Sequence, residues 1–235
     1  MYHRVGSPLA RSIVRGQYVL PALFRAQLTD LLAQGYRPLP ARDLLASPAQ
    51  ATGHFSVTFD DGYASIATHA APILAELGVP ATVFVVVGSI GQTNTWDQRL
   101  GDCVERLLNL DELRTLAAAG FEIASHSLSH AHLTQLTAPA LREEIAGARQ
   151  RLEDQLGHPV TGFAYPYGEW DARARAMVIE AGYSYAMSTQ KGTLGGPLDR
   201  FTLPRLNMRW NTVGPLLTWK IRLATRADGV RKTGS

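Results

Sequence analysis

The alternation of strand-like and helix-like segments is the feature that most constrains how this chain can fold. Apolar runs with β-branched residues predict strands at residues 54–59, 81–87, 121–125, 161–165, 183–188 and 203–206. Apolar residues at helical spacing predict helices between them, at 66–77, 111–119, 139–156 and 172–181. Such alternation is typical of an α/β fold with a mainly parallel sheet, open or closed into a barrel. We expect one domain over residues 1–235, with its core at 54–206 and a basic tail at 220–235.

Composition excludes several classes of protein and of site. Apolar residues make up 46% of the 235 residues, which argues against disorder. Cys103 is the single cysteine, so neither an intrachain disulfide nor a cysteine-based zinc site can form. The tail is basic, but the chain has no alternation of basic and aromatic residues, so we expect no nucleic-acid partner.

Apolar runs long enough for a membrane-spanning helix are absent from the sequence, and so is the apolar core of a signal peptide at its start. We therefore expect no transmembrane segment and a cytoplasmic location. A leader removed from the sequence would make the protein extracytoplasmic.

Two polar clusters directly follow predicted strands. Asp60 and Asp61 come after the first strand, and His126 and His130 come after the third. Because the carboxyl ends of parallel strands share one face, these side chains can meet there. Two histidines and one carboxylate form a three-ligand metal site with an open position, and the second carboxylate can act as a base. Taken alone, Asp60 and Asp61 before Gly62 are more typical of a surface turn, and the two histidines are equally compatible with a polar loop.

A third cluster, Phe163 to Asp171, follows the fourth strand and is rich in aromatic residues. Tyr165, Pro166, Tyr167 and Trp170 can wall a groove that stacks on sugar rings, and backbone N–H groups there can face an oxyanion. The alternative is a rigid aromatic turn that only packs.

In this order, TFDDGY (58–63), HSLSH (126–130) and FAYPYGEWD (163–171) resemble the first three motifs of the polysaccharide deacetylases, the family-4 carbohydrate esterases. The resemblance implies a distorted (β/α) barrel of about seven parallel strands. It also implies a bound Zn²⁺ or another divalent metal, such as Co²⁺, Ni²⁺ or Mn²⁺. The implied reaction is hydrolysis of the N-acetyl group of N-acetylglucosamine units in a glycan or glycolipid, with release of acetate.

The resemblance also implies roles for individual residues. Asp60 matches the general base, and Asp61, His126 and His130 match the metal ligands. Tyr167 matches the residue whose backbone N–H helps to hold the oxyanion.

The chain departs from the family pattern in the third motif, because Ala164 and Tyr165 stand where many members have an arginine that orients the base. Arg205, in the last predicted strand, is a candidate substitute. The alternative for Arg205 is a surface salt bridge.

The family's C-terminal histidine, which supplies the general acid, is also missing, since no histidine follows His158. Tyr2 and His3 resemble an N-terminal Tyr-His segment in a circularly permuted branch active on poly-N-acetylglucosamine. His3 is then the candidate acid, and the alternative is a terminal histidine without a role.

Two other functions remain open on the motifs. One is a same-fold amidohydrolase acting on another C–N bond, such as a deformylase of a lipid-linked sugar or a cyclic imidase. The other is a non-catalytic sugar-binding protein, against which the presence of Asp60, Asp61, His126 and His130 argues.

Overall fold

The computed structural model of the chain describes residues 1–46, 53–98, 101–194, 199–212, 214 and 217–221. The strands in the described residues are β1 (Arg4–Val5), β2 (Tyr18–Val19), β3 (Arg37–Pro38), β4 (His54–Phe55), β5 (Val57–Phe59), β6 (Ala81–Val85), β7 (Glu122–Ser125), β8 (Gly162–Ala164) and β9 (Tyr185–Met187). A central parallel sheet contains five of them, in the order β5-β6-β7-β8-β9. The other four form two parallel pairs, β1-β2 and β3-β4.

Backbone hydrogen bonds close this sheet into a ring. Tyr2 forms a parallel bridge with Phe59 at one edge, and Leu203 forms one with Met187 at the other. The two added segments then meet, because the Met1 nitrogen donates to the Leu206 carbonyl at 2.9 Å. The expected parallel barrel is confirmed, with five regular strands and two bridging segments in place of about seven strands.

Helices connect the strands and pack on the outside of the ring. They include α1 (Pro21–Ala33), α2 (Ala41–Ala46), α3 (Ala71–Leu77), α4 (Thr95–Gln98), α5 (Leu110–Ala118), α6 (Ala138–Arg142), α7 (Ala148–Leu156) and α8 (Ala172–Glu180). A π-helical turn at Ile66–Ala70 precedes α3, and another at Glu143–Gly147 lies between α6 and α7.

Local sequence signals explain where several helices begin and end. Asn109 and Glu112 form a reciprocal capping box at the start of α5, and Asp171 caps α8 by accepting from the Ala174 N–H at 2.8 Å. Gly157 ends α7 with a φ of 76°, in the left-handed region that glycine tolerates. Thr137 occupies the N-cap position of α6 without a side-chain capping hydrogen bond.

Side chains alternate between the inside and the outside of the ring. Phe84, Ala124, Ala164 and Met187 belong to an inner cluster, which α2 joins through Ala41 and Leu45. Their neighbours along the strands, Val83, Ile123, Phe163 and Ala186, belong to a larger cluster that includes side chains of the outer helices. The small alanines leave room inside a narrow ring, and α2 fills its amino end.

Two sequence predictions need correction in detail, and a third is not tested. Residues 54–59 form two strands, because His54–Phe55 pairs with Arg37–Pro38 while Val57–Phe59 joins the central sheet. Residues 203–206 make one bridge, at Leu203, and no regular strand. The predicted basic tail lies outside the described residues except for Lys220 and Ile221.

Within the part of the chain that the structure describes, no helix is both long and apolar enough to cross a membrane.

Candidate active site

The polar residues of the first two motifs lie at the carboxyl end of the ring. Asp60 and Asp61 directly follow β5, and His126 directly follows β7. The backbone turns sharply here, since Asp61, Ser127 and His130 have φ values of 71°, 66° and 61°. Non-glycine residues adopt this left-handed conformation at a cost of roughly 1–2 kcal/mol each, so surrounding contacts must hold the turns.

Asp61, His126 and His130 converge on one point. One ligand atom from each lies within 4.8 Å of the other two, and all three residues are buried. Asp61 Oδ1 is 3.4 Å from His126 Nε2 and 3.3 Å from His130 Nε2. Among the described residues, no donor makes a hydrogen bond to Asp61 Oδ1. Three ligand atoms facing one another with an unsatisfied carboxylate oxygen are the arrangement that a divalent cation stabilises.

The orientation of His126 supports this reading. Its Nδ1 lies 2.8 Å from the carbonyl oxygen of Ala164. A carbonyl oxygen only accepts, so Nδ1 carries the proton and a neutral ring leaves the Nε2 lone pair toward Asp61. Burial acts to lower the pKa of His126, but the carboxylates of Asp61 and Asp60 raise it overall.

Asp60 is held by Arg205. The two guanidinium nitrogens of Arg205 donate to Oδ1 and Oδ2 of Asp60 at 2.6 and 2.7 Å, and its Nε donates to the Ser188 carbonyl. Both side chains are buried, so this pair is no surface salt bridge. Although burial alone raises the pKa of Asp60, the charge of Arg205 lowers it, which keeps the carboxylate ionised.

His3 lies beside the aspartates, because the Asp60 N–H donates to the Tyr2 carbonyl at 3.0 Å. The ring of His3 is half-buried. Burial lowers its pKa, against the opposing effect of the Asp61 and Asp60 carboxylates.

The residue after His3 fixes the position of this segment. Arg4 is fully buried and forms ion pairs of 2.9 Å with Asp97 and 2.6 Å with Glu105. Its guanidinium also lies 3.8 Å from the ring centre of Tyr63, in the first motif. Arg4 therefore ties the His3 segment to the first motif.

The third motif contains two exposed rings, of which Tyr167 contacts His130. Tyr167 is 38% and Trp170 39% exposed, whereas Tyr165 and Pro166 are buried. The Tyr165 hydroxyl donates to the Phe201 carbonyl, so its ring faces the core rather than a groove.

Three side chains beside His130 and Tyr167 were given no role from the sequence. Trp96 stacks on His130 at 4.8 Å, and His132 stacks on Tyr167 at 4.0 Å with nearly parallel rings. Glu169 lies 2.9 Å from Nδ1 of His132. The sequence carries no motif that points to Trp96, since it lies in a segment between strands.

Comparisons with known proteins agree with this architecture. The family described as polysaccharide deacetylase matches residues 49–186. The polysaccharide deacetylase-like protein YxkH of Bacillus subtilis is 23% identical over 212 residues, which cover 88% of this chain and 70% of YxkH.

Two further relatives extend the likeness. The poly-β-1,6-N-acetyl-D-glucosamine N-deacetylase of Staphylococcus aureus is 22% identical over 159 residues, 64% of this chain and 52% of that protein. The chain thus spans about half the length of that relative. The crystal structure of a polysaccharide deacetylase from Bacillus cereus superimposes with a TM-score of 0.79 and 26% identity, covering 94% of this chain and 67% of that one.

Proposed function

The chain belongs to the polysaccharide deacetylase family, and on that premise we propose that it is a metal-dependent hydrolase of N-acetylglucosamine units. It removes N-acetyl groups from a polysaccharide or glycolipid and releases acetate. One observation carries this proposal: the metal-ligand group of Asp61, His126 and His130 lies beside a buried carboxylate, Asp60, that Arg205 orients.

The donor set fits zinc or another divalent metal, such as Co²⁺, Ni²⁺ or Mn²⁺. Two imidazole nitrogens and one carboxylate oxygen suit such ions, and three protein ligands leave a position for substrate. The unsatisfied Oδ1 of Asp61 is the atom that most needs a cation. When bound, the metal supplies Lewis acidity that polarises the acetamide carbonyl and favours ionisation of water.

The protein groups then carry the proton transfers. Asp60 accepts the proton of the attacking water, and Arg205 holds both of its oxygens in place. The backbone N–H of Tyr167 donates to the oxyanion that develops on the former carbonyl oxygen. His3 protonates the departing amine, so that acetate and a free amino sugar are the products.

The aromatic surface suits a sugar substrate. The exposed ring of Tyr167 lies 4.5 Å from that of His130, and the exposed Trp170 follows it in the same motif. Pyranose rings stack on such aromatic faces. The name of the Staphylococcus aureus relative makes poly-β-1,6-N-acetylglucosamine the first polymer to test.

The test measures acetate release from chito-oligosaccharides and poly-β-1,6-N-acetylglucosamine, after chelation and after addition of Zn²⁺ or Co²⁺. We expect chelation to abolish turnover and metal to restore it. Asp60→Asn should lower kcat about 100- to 10,000-fold, the usual contribution of a general base, with metal still bound. Asp111→Asn, at a side chain that is 93% exposed, is the matched control. Full activity of Asp60→Asn would refute the mechanism.

A second experiment isolates the acid. A general acid gives a rate that falls as the pH rises through its pKa, and His3→Ala should lose that limb of the pH–rate profile. An unchanged profile and rate would remove His3 from the mechanism.

A further inference from the structure

Glu144 holds the loop that carries the two histidines. This carboxylate belongs to the π-helical turn Glu143–Gly147 and is only 9% exposed. Its Oε2 accepts from the backbone N–H groups of Leu128 and Ser129, at 3.1 and 2.9 Å. Its Oε1 accepts from the Ser129 hydroxyl at 2.5 Å. All three bonds reach the residues between His126 and His130.

The opposite side of the same loop rests on the backbone after β6. The N–H groups of Val87 and Gly88 donate to the carbonyls of Ser127 and Leu128, at 3.0 and 2.8 Å. A Cβ on Gly88 would lie 2.7 Å from the Leu128 oxygen, so the two backbones are as close as glycine permits. The loop is therefore clamped between a glycine backbone and a buried carboxylate.

This clamp bears on the geometry of the ligands. Ser127 and His130 both have left-handed backbones, which relax unless neighbouring groups fix them. Val87 and Gly88 bind carbonyl groups of the loop, whereas Glu144 binds its N–H groups. Without Glu144, the N–H and the hydroxyl of Ser129 would lose the hydrogen bonds that they make to this carboxylate. The loop would then lose one of the two sets of contacts that hold its left-handed residues.

We propose that Glu144 is a positioning residue that sets the loop of His126 and His130 in its metal-binding conformation. The inference rests on the proposed metal site. The π-helical turn helps to place Glu144, because the extra residue in that turn alters the direction in which the helix presents its side chains.

The test measures metal affinity directly, by titrating metal-free protein with Zn²⁺ or Co²⁺ against a chromophoric chelator. Glu144→Ala should weaken binding about 10- to 100-fold, as loss of an outer-shell partner usually does, and should change the Co²⁺ absorption spectrum. Glu143→Ala is the matched control, since Glu143 lies in the same turn but is 53% exposed. It should bind metal within about twofold of wild type.

Glu144→Gln distinguishes positioning from charge. Its amide oxygen can accept from both N–H groups and its amide nitrogen can donate to Ser129 Oγ, so it should restore most of the affinity. Binding by Glu144→Ala that equals wild type would overturn the proposal, and so would equal losses in Glu144→Ala and Glu144→Gln.

If Glu144→Ala does not fold, Ser129→Ala replaces it. This variant removes a single hydrogen bond to Glu144 and should weaken metal binding about threefold. Unchanged affinity would then overturn the inference. Failure of the wild-type protein to bind any divalent metal would instead refute the proposed function.

Discussion

Each end of the barrel buries an acidic side chain, but the two carboxylates differ in the hydrogen bonds that they accept. At the amino end, Glu122 accepts four hydrogen bonds of 2.9–3.1 Å, from the hydroxyls of Thr82, Thr161 and Tyr185 and the N–H of Arg42. At the carboxyl end, Asp61 Oδ1 receives none from the described residues.

The two environments are close in the sequence and in space. Glu122 and His126 lie four positions apart, so both face the interior, with Ala124 between them. One inner layer of apolar side chains therefore separates a satisfied polar network from an unsatisfied one. A buried carboxylate stabilises this fold where the protein supplies all of its hydrogen-bond partners, as for Glu122. Asp61 Oδ1 lacks such a partner among the described residues and therefore favours binding of a ligand.

The largest effect should come from Asp61→Asn. An amide is a poor metal ligand, and loss of Lewis acidity worth several kcal/mol lowers kcat/KM about 1,000-fold or more. Asparagine tolerates the left-handed backbone of this position, so metal-free stability should stay within about 0.5 kcal/mol of wild type. Acetate release measures kcat/KM, and urea unfolding in the presence of chelator measures the metal-free stability. A large loss of stability would remove the contrast between the ends.

Glu122→Ala should show the reverse. It strips four donors of their acceptor, two of them on the buried residues Thr82 and Tyr185, and opens a cavity, which should cost about 3 kcal/mol of unfolding free energy. The rate per folded molecule should stay within about twofold, because Glu122 lies at the far end from the site. Glu180→Ala, at an exposed side chain, is the control for urea unfolding. Strong loss of activity in the folded variant would show that the ends are coupled.

Arg205→Lys tests how much the carboxyl end depends on geometry. Lysine keeps the charge beside Asp60 but cannot donate to both oxygens, so kcat should fall about 10- to 100-fold with little change in KM. Arg175→Lys, at an exposed ion pair with Asp199, is the control in the same assay. An unaltered kcat would mean that Arg205 contributes only its charge and that its two hydrogen bonds to Asp60 are not needed.

The smallest effect should be that of Tyr185→Phe. It removes one of the hydrogen bonds to Glu122 and should cost about 1 kcal/mol in urea unfolding, with unchanged deacetylation. A cost as large as that of Glu122→Ala would mean that the network acts as one unit.

The carboxyl end could be predicted from the sequence because its chemistry follows strands directly. Asp60, Asp61 and His126 each come one or two residues after a strand, and parallel strands bring such positions together. The pairing of Arg205 with Asp60 could not be predicted, because it joins residues 145 positions apart. The sequence fitted a surface salt bridge of Arg205 equally well.

The hydrogen-bond network at the amino end could not be predicted in the same way. Glu122, Thr82 and Tyr185 lie at the beginnings of strands with no shared motif, and only the register of the sheet brings them together. The same holds for Glu144, which reaches the histidine loop because a π-helical turn interrupts a helix that the sequence predicts as continuous. Propensity and spacing do not report such long-range contacts.

The ring that Met1 and Leu206 close has a consequence for folding. These residues are 205 positions apart, so we expect their contact to form after the central strands have paired. Before it forms, β5 and β9 would be open edges with unpaired backbone groups, which invite association between chains. The same closing step brings Arg205 to Asp60. We therefore expect a chain with an open ring to be the form most prone to aggregate and to lack the Arg205–Asp60 pair.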